Sequence, residues 1–188
     1  MDDEIELKVV DMSSMLHPAQ AYALLLQEKN GKLKLPIIIG ALEAQSIKLA
    51  MMNLEIPRPL THDLIITLLQ KLNVQLEKVL IYKVKDGVFY SYLSFYQEGK
   101  VFQLDSRTSD AIALALRLKV PIYTYRSILE NDSITEDENG KVSVNINTID
   151  MASLKKALKK AISTENYELA STLRDEIKRR EEESSQNE

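Results

Sequence analysis

One arrangement occurs twice in this chain and constrains its fold more than any single residue does. Two strand-like segments joined by a turn lead into an aliphatic helical pattern, with a carboxylate near its start and a proline beyond its end. The first copy runs Tyr22–Glu28, Asn30-Gly31, Lys32–Ile39, then Glu43, Ile47-Lys48-Leu49-Ala50 and Ile56-Pro57. The second runs Val88–Tyr96, Glu98-Gly99, Lys100–Leu104, then Asp110, Ile112-Ala113-Leu114-Ala115 and Val120-Pro121. Period-two alternation marks the strands, and 3.6-residue spacing marks the helices. Strands joined as hairpins pair antiparallel, and each hairpin needs a helix to cover its apolar face. Two origins fit the echo equally: an old duplication, or the general likeness of aliphatic helices.

The remaining elements fill out an α+β body. Ile5–Met12 alternates as a strand, Gln75–Lys85 reads as another before Asp86-Gly87, and Ile122–Tyr125 as the last. Thr61–Leu72 is helical, with Leu64, Ile65, Leu68, Leu69 and Leu72 as its apolar stripe. Asn30-Gly31 predicts a tight turn with positive φ. Thr61 and Ser109 are the expected N-caps, and Pro57, Pro59 and Pro121 the expected helix stops. The fold expected is a mixed, largely antiparallel sheet packed against three helices.

Charge divides the chain. Residues 1–131 hold 15 basic and 15 acidic residues, 132–150 hold one and five, and 151–188 hold eight of each, so the net charge of -4 sits in the middle stretch. That predicts a body over 1–131, an acidic linker over 132–150 with a marginal strand near Val142–Ile146, and a helical hairpin over 151–188. Leu154, Leu158, Leu173 and Ile177 lie at helical spacing in the hairpin. A unit below about 40 residues rarely stabilises itself, so its stripes require a second surface. That surface is the body, another protein, or a second copy in a homo-oligomer.

The body is neutral, which argues against the broad basic surface of non-specific DNA binding. There is no cysteine, which excludes disulfides, cysteine zinc sites and a thiol nucleophile. The acidic start Met1-Asp2-Asp3-Glu4 is unlike a signal peptide, and no apolar stretch approaches the ~20 residues of a membrane span. The expectation is a cytoplasmic protein without a membrane partner.

Two polar blocks stand out: Arg58-Pro59-Leu60-Thr61-His62-Asp63 and Asp105-Ser106-Arg107-Thr108-Ser109-Asp110. Each places an arginine and a carboxylate beside a helix start, where unpaired N–H groups favour anions. Phosphodiester hydrolysis needs charge stabilisation and an activated water, which carboxylates with Mg²⁺ or Mn²⁺ and a phosphate-clamping arginine supply. The candidate set is His62, Asp63, Asp105 and Glu43 as catalytic groups. Arg58, Arg107 and Ser109 are the candidates for substrate, and Asp63, Asp105 and Asp110 for the metal. Each has a plain alternative. First-turn acids stabilise helices by about 0.3–1 kcal/mol with no chemistry involved. Paired with the arginines, they make an ion network that fixes loops. Arg117 reads as a cation at a helix end, His17 as a turn residue, and the tyrosines at 82, 90, 92 and 96 as core or base-stacking groups.

The body resembles the bifunctional nuclease family of bacteria and plants. The resemblance rests on Leu35-Pro36-Ile37-Ile38-Ile39-Gly40 with Glu43-Ala44, on both polar blocks, on Ala111 through Arg117, and on Pro121-Ile122-Tyr123. Thr108 stands where that family usually has proline. The tail resembles the motif shared by the excision-repair subunits UvrB and UvrC, through Leu154, Ala157, Asn166-Tyr167-Glu168-Leu169-Ala170 and Leu173-Arg174-Asp175-Glu176-Ile177. The first resemblance implies hydrolysis of DNA and RNA, and the second a contact between proteins. A non-enzymatic adaptor acting through the hairpin is the competing expectation.

Overall fold

The computed structural model describes residues 2–14, 21–54, 56–85, 87–136 and 142–144, with 155, 158, 159, 162, 170, 171, 173–175 and 177–179. His17, Asp86, Leu154 and most of the expected acidic linker lie outside these. The chain forms two compact units, Met1–Ser133 and Ile134–Glu188.

In the first unit the strands are β1 (Glu4–Ser14), β2 (Ala21–Glu28), β3 (Lys34–Gly40), β4 (Gln75–Lys85), β5 (Val88–Gln97), β6 (Lys100–Arg107) and β7 (Ile122–Tyr125). They form one sheet in the order β6-β5-β4-β7-β1-β2-β3. The pairings of these strands are antiparallel except β4 with β7, where Val79 faces Ile122 and Ile81 faces Thr124. The parallel pair joins two antiparallel halves, which is the mixed sheet expected. Each half contributes one hairpin, β2–β3 or β5–β6, that runs without a loop into a helix, α1 (Ala41–Met51) or α3 (Thr108–Leu118). α2 (Thr61–Lys71) lies between them in sequence. A fourth helix, α4 (Arg126–Asp132), goes beyond the three expected; seven residues are too few for helical spacing to declare itself.

The core lies under the helices. Leu24, Leu26, Leu35 and Ile37 from one hairpin meet Val79, Ile81, Leu93 and Phe95 from the other strands, and Ile47, Ile112 and Leu129 close it from the helices. α1 and α3 pack against each other above it. β4 carries an extra residue against β5 at Glu77 and again at Tyr82. The second bulge sets Tyr82 and Lys83 together opposite Tyr90. Tyr82 stacks on Tyr92 with centroids 3.9 Å apart, and Lys83 lies 5.6 Å from the Tyr90 ring centre.

The expected helix bounds hold to within one residue, but the local signals behind them differ. Neither Asn30 nor Gly31 has positive φ; the reversal spans 29–33, closed by Glu28 N to Leu33 O at 3.0 Å. The prolines do not stop the helices. α1, α2 and α3 each end earlier, at a left-handed residue: Asn53, Asn73 and Lys119. In each the next amide reaches five residues back, Leu54 to Leu49, Val74 to Leu69 and Val120 to Ala115. This closure satisfies the last carbonyls before any proline is reached. The caps also shift by one or two residues. Leu60 precedes α2, and its amide donates to Asp63 Oδ2 at 2.9 Å. Arg107 precedes α3, not Ser109. Thr108 opens α3, and its hydroxyl shares a buried 2.7 Å hydrogen bond with Ser91, a contact proline cannot make.

In the second unit, β8 (Ile134–Glu136) pairs antiparallel with β9 (Val142–Val144). The described residues from 155 onward are helical, and Ala170, Leu173 and Ile177 are buried at helical spacing, as the expected stripe requires. No helix among the described residues is long and apolar enough to cross a membrane.

Lys119 has no side-chain reason for its left-handed backbone (φ 57°). Lys119→Gly is therefore expected to stabilise the fold by about 0.5–1 kcal/mol, seen as a higher urea midpoint. An unchanged or lower midpoint would show that the position carries no strain.

Candidate active site

α1 and α3 start directly from strand ends, so their third residues, Glu43 and Asp110, occupy equivalent places. Both reach Arg107. Its Nη1 donates to Glu43 Oε1 at 3.0 Å, its Nε to Asp110 Oδ2 at 2.7 Å and its Nη2 to Asp110 Oδ1 at 3.1 Å. Glu43 folds back over Gly40, where a Cβ would come within 2.5 Å of Oε2; a side chain there would push Glu43 away from Arg107.

The chain of contacts continues inward. His62 Nε2 lies 3.1 Å from Asp110 Oδ1, and His62 Nδ1 lies 3.0 Å from Ser46 Oγ. With Asp110 ionised, Nε2 carries the proton and Nδ1 accepts from the Ser46 hydroxyl, an assignment made from this network. Arg117 Nη2 reaches Ser46 O and Oγ at 3.2 and 3.3 Å, Nη1 reaches Ala113 O at 3.0 Å, and Nε reaches Asp63 Oδ1 at 2.8 Å. A single line of side chains thus runs Glu43, Arg107, Asp110, His62, Ser46, Arg117, Asp63. Exposure is lowest in its middle: the Arg107 side chain is 66% exposed, His62 14% and Arg117 10%, and Asp63 at the far end is 30% exposed.

Clefts lie at both ends. One of about 250 Å³ is lined by Ile38, Gly40, Glu43, Phe89, Arg107 and Ser109. The other, about 500 Å³, is lined by Leu49, Asn53, Ile56, Asp63, Ile66 and Arg117.

Electrostatics keep the carboxylates charged. Burial pushes Asp110 upward, but hydrogen bonds from Arg107 and His62 and their charges outweigh it and hold its pKa below the ordinary value. Burial likewise opposes ionisation of Asp63, and the Arg117 and Leu60 bonds again win. Asp110 in turn holds the proton on Arg107 more tightly, with Glu43 adding to the effect.

The structure therefore joins the two polar blocks through His62 and Asp110, but not every expected residue. Asp105 lies across from Tyr92 in the β5–β6 pairing, and its Oδ1 accepts from the Tyr82 hydroxyl at 3.1 Å. Tyr92 and Asp105 raise the Tyr82 pKa, so that hydroxyl stays protonated. Arg58 is exposed and makes none of the network's ion pairs, and Ser109 lines the smaller cleft without joining the network. The carboxylates expected to share a cation have separate partners: Asp63 has Arg117, Asp110 has Arg107, and Asp105 has Tyr82. Among the described residues no three His, Asp or Glu side chains gather as a metal cage. The residues therefore do not fit Mg²⁺ or Mn²⁺ as placed.

Ser46 and the inward role of Arg117 are what sequence reasoning missed. Spacing carried both signals. Ser46 follows Glu43 by three residues on α1, and Arg117 follows Asp110 by seven on α3, so each pair shares a helix face.

Comparison with known proteins places these residues within a family. A model described as the bifunctional nuclease domain matches residues 24–137, and one described as the UvrB/uvrC motif matches 151–183. An uncharacterized protein of Mycobacterium tuberculosis is 43% identical over 124 residues, 66% of this chain and 73% of that one. Bifunctional nuclease 1 of Oryza sativa subsp. japonica is 33% identical over 122 residues, 62% of this chain and 36% of its own. Bifunctional nuclease 1 of Arabidopsis thaliana is 28% identical over 129 residues, 67% of this chain and 39% of its own.

The Arg117–Asp63 pair gives a prediction with a defined sign. The folded pKa of Asp63 is depressed, so its contribution is fully present above the unfolded value of about 3.9 and is lost as pH falls through the folded value. Arg117→Ala should cost about 2–3 kcal/mol at pH 7, since it strips a half-buried carboxylate and a serine carbonyl of their donor. The gap to the parent in urea unfolding should narrow below about pH 3.5. A pH-independent gap would assign the cost to packing instead.

Proposed function

We propose that this chain, which belongs to the bifunctional nuclease domain family, hydrolyses phosphodiester bonds of DNA or RNA with low sequence specificity. Its plant relatives are named as nucleases, and the exposed Arg107 supports the same reading here. Three of the five N–H donors of that guanidinium are used by Glu43 and Asp110, and two remain for phosphate oxygens. Arg107 sits at the mouth of a cleft, where a nucleic-acid backbone can reach it.

Directly behind it, His62 is the general base of this reading. Asp110 fixes the Nε2–H tautomer and stabilises the imidazolium formed when Nδ1 takes a proton, so it positions and does not itself transfer one. A water replacing the Ser46 hydroxyl at Nδ1 would lose its proton there as it attacks phosphorus; the bond from phosphorus to the leaving sugar oxygen breaks, and that oxygen takes a proton from solvent. Glu43 holds Arg107 in place. Asp63 acts only through Arg117, and Asp105 stands apart from this centre. Mg²⁺ or Mn²⁺ assistance belongs to the proposal as a test, and no step above depends on it. The cytoplasm is the proposed setting, and residues 151–183 the proposed protein-binding segment.

The competing reading is an adaptor. The pairing of carboxylates with arginines favours it, because an ion network needs no substrate to explain it.

Cleavage of labelled single- and double-stranded DNA and RNA separates the two, with Mg²⁺, Mn²⁺ or EDTA present. Arg107→Ala and His62→Ala, assayed well below each variant's own melting temperature, should each lower kcat/KM by about 100-fold or more, with Asp105→Ala near the parent. Equal cleavage by all variants removes this site. No cleavage by the parent under any condition favours the adaptor.

A further inference from the structure

α2 and β6 are anomalous. α2 buries none of its residues, and Leu60, Leu64, Leu68 and Leu72 beside and along it are 41–61% exposed. β6 ends the sheet, and Val101, Phe102 and Leu104 are 64, 38 and 51% exposed. Phe102 and Leu104 lie on the face of β6 that continues the core, opposite Phe95 and Leu93, and Val101 lies on the other face. Gln97 Nε2 donates to Leu72 O at 2.9 Å, tying the end of α2 to the β5–β6 turn, and Phe102 stacks on the core residue Phe95 at 5.4 Å.

The charges of β6, Lys100, Asp105 and Arg107, lie toward its ends and leave its middle unprotected. Its register with β5 is unbroken from Lys100 to Arg107, with no bulge and no proline, and charge is absent from Val101 through Leu104. Such an edge offers a free row of backbone donors and acceptors flanked by apolar side chains. Leu64, Leu68 and Leu72 of α2 and Phe102 and Leu104 of β6 leave open apolar surface of the kind that marks an interface.

We propose that β6 pairs antiparallel with β6 of a second copy about a two-fold axis, continuing the sheet across the dimer, with the α2 leucines flanking the junction. A two-fold axis through the sheet keeps like faces together, so the register centres on a residue. Centred on Gln103, Phe102 faces the partner's Leu104 and Leu104 faces the partner's Phe102. Centred one residue earlier, Leu104 would face the partner's Lys100; one later, Phe102 would face the partner's Ser106. The apolar match selects Gln103. A second copy fits because a two-fold pairing satisfies both free edges with one surface.

Light scattering on the full chain should give twice the 21.4 kDa of one chain. Leu104→Lys should raise the dimer dissociation constant by about 100-fold or more, with far-UV circular dichroism unchanged, since Leu104 is exposed in the single chain. Because the chain has no cysteine, Gln103→Cys should cross-link to a dimer on mild oxidation, and Lys29→Cys, in the other hairpin, should not. A single-chain mass at every concentration overturns the proposal. So does a dimer that survives Leu104→Lys, or one that Leu173→Glu in the C-terminal segment abolishes.

Discussion

Arg107 between the third residues of α1 and α3 is the constraint on which the helix layer depends. Both helices begin the moment a strand ends, so no loop is available to adjust where they start. Their first-turn acids, Glu43 and Asp110, are brought to one place, and two carboxylates there would repel without a cation between them. Arg107 supplies it from the strand end that opens α3, with two bonds to Asp110 and one to Glu43. The helices can then pack side by side over a core shared by both antiparallel halves.

The rest of the network follows from that contact. Asp110, held by Arg107, is free to orient His62; His62 orients Ser46; and Arg117 ties Ser46 to Asp63 on α2. The most exposed member is Arg107, and the least exposed, His62 and Arg117, are the ones that hold the line together. Exposure is lowest in the middle of the line and rises toward Arg107 and Asp63, so the middle serves stability and both ends stay accessible. On the proposed reading, phosphate is met through positive charge that is local and directional, at Arg107.

The sheet has a second character. On β4 and β5 the tyrosines alternate with core residues, and a bulge at Tyr82 places that ring on Tyr92 and its hydroxyl on Asp105. Asp105 is thereby committed to the aromatic group, although it lies only two residues before Arg107. Neighbours in sequence serve different parts of the molecule because the strand ends between them and a helix begins.

Hairpins, helices and most apolar positions of the core were legible in the sequence, because periodicities of two and 3.6 report which side of an element is buried; α2 is the exception, since Leu64, Ile65, Leu68 and Leu72 of its expected stripe stand exposed. So was the pairing of two charged blocks with two helix starts. Where the helices stop was legible, but the cause was misread for α1 and α3, because the left-handed closures at Asn53 and Lys119 depend on local backbone hydrogen bonds that act before the prolines do. Only tertiary structure decided which carboxylate meets which arginine. Asp105 and Asp110 look alike along the chain, yet one faces a tyrosine and the other a histidine from a helix 48 residues away in sequence. Burial pattern is a property of one segment and is written in it. Partnership between charges is a property of the distance between segments, and that distance exists only once the sheet has brought them together.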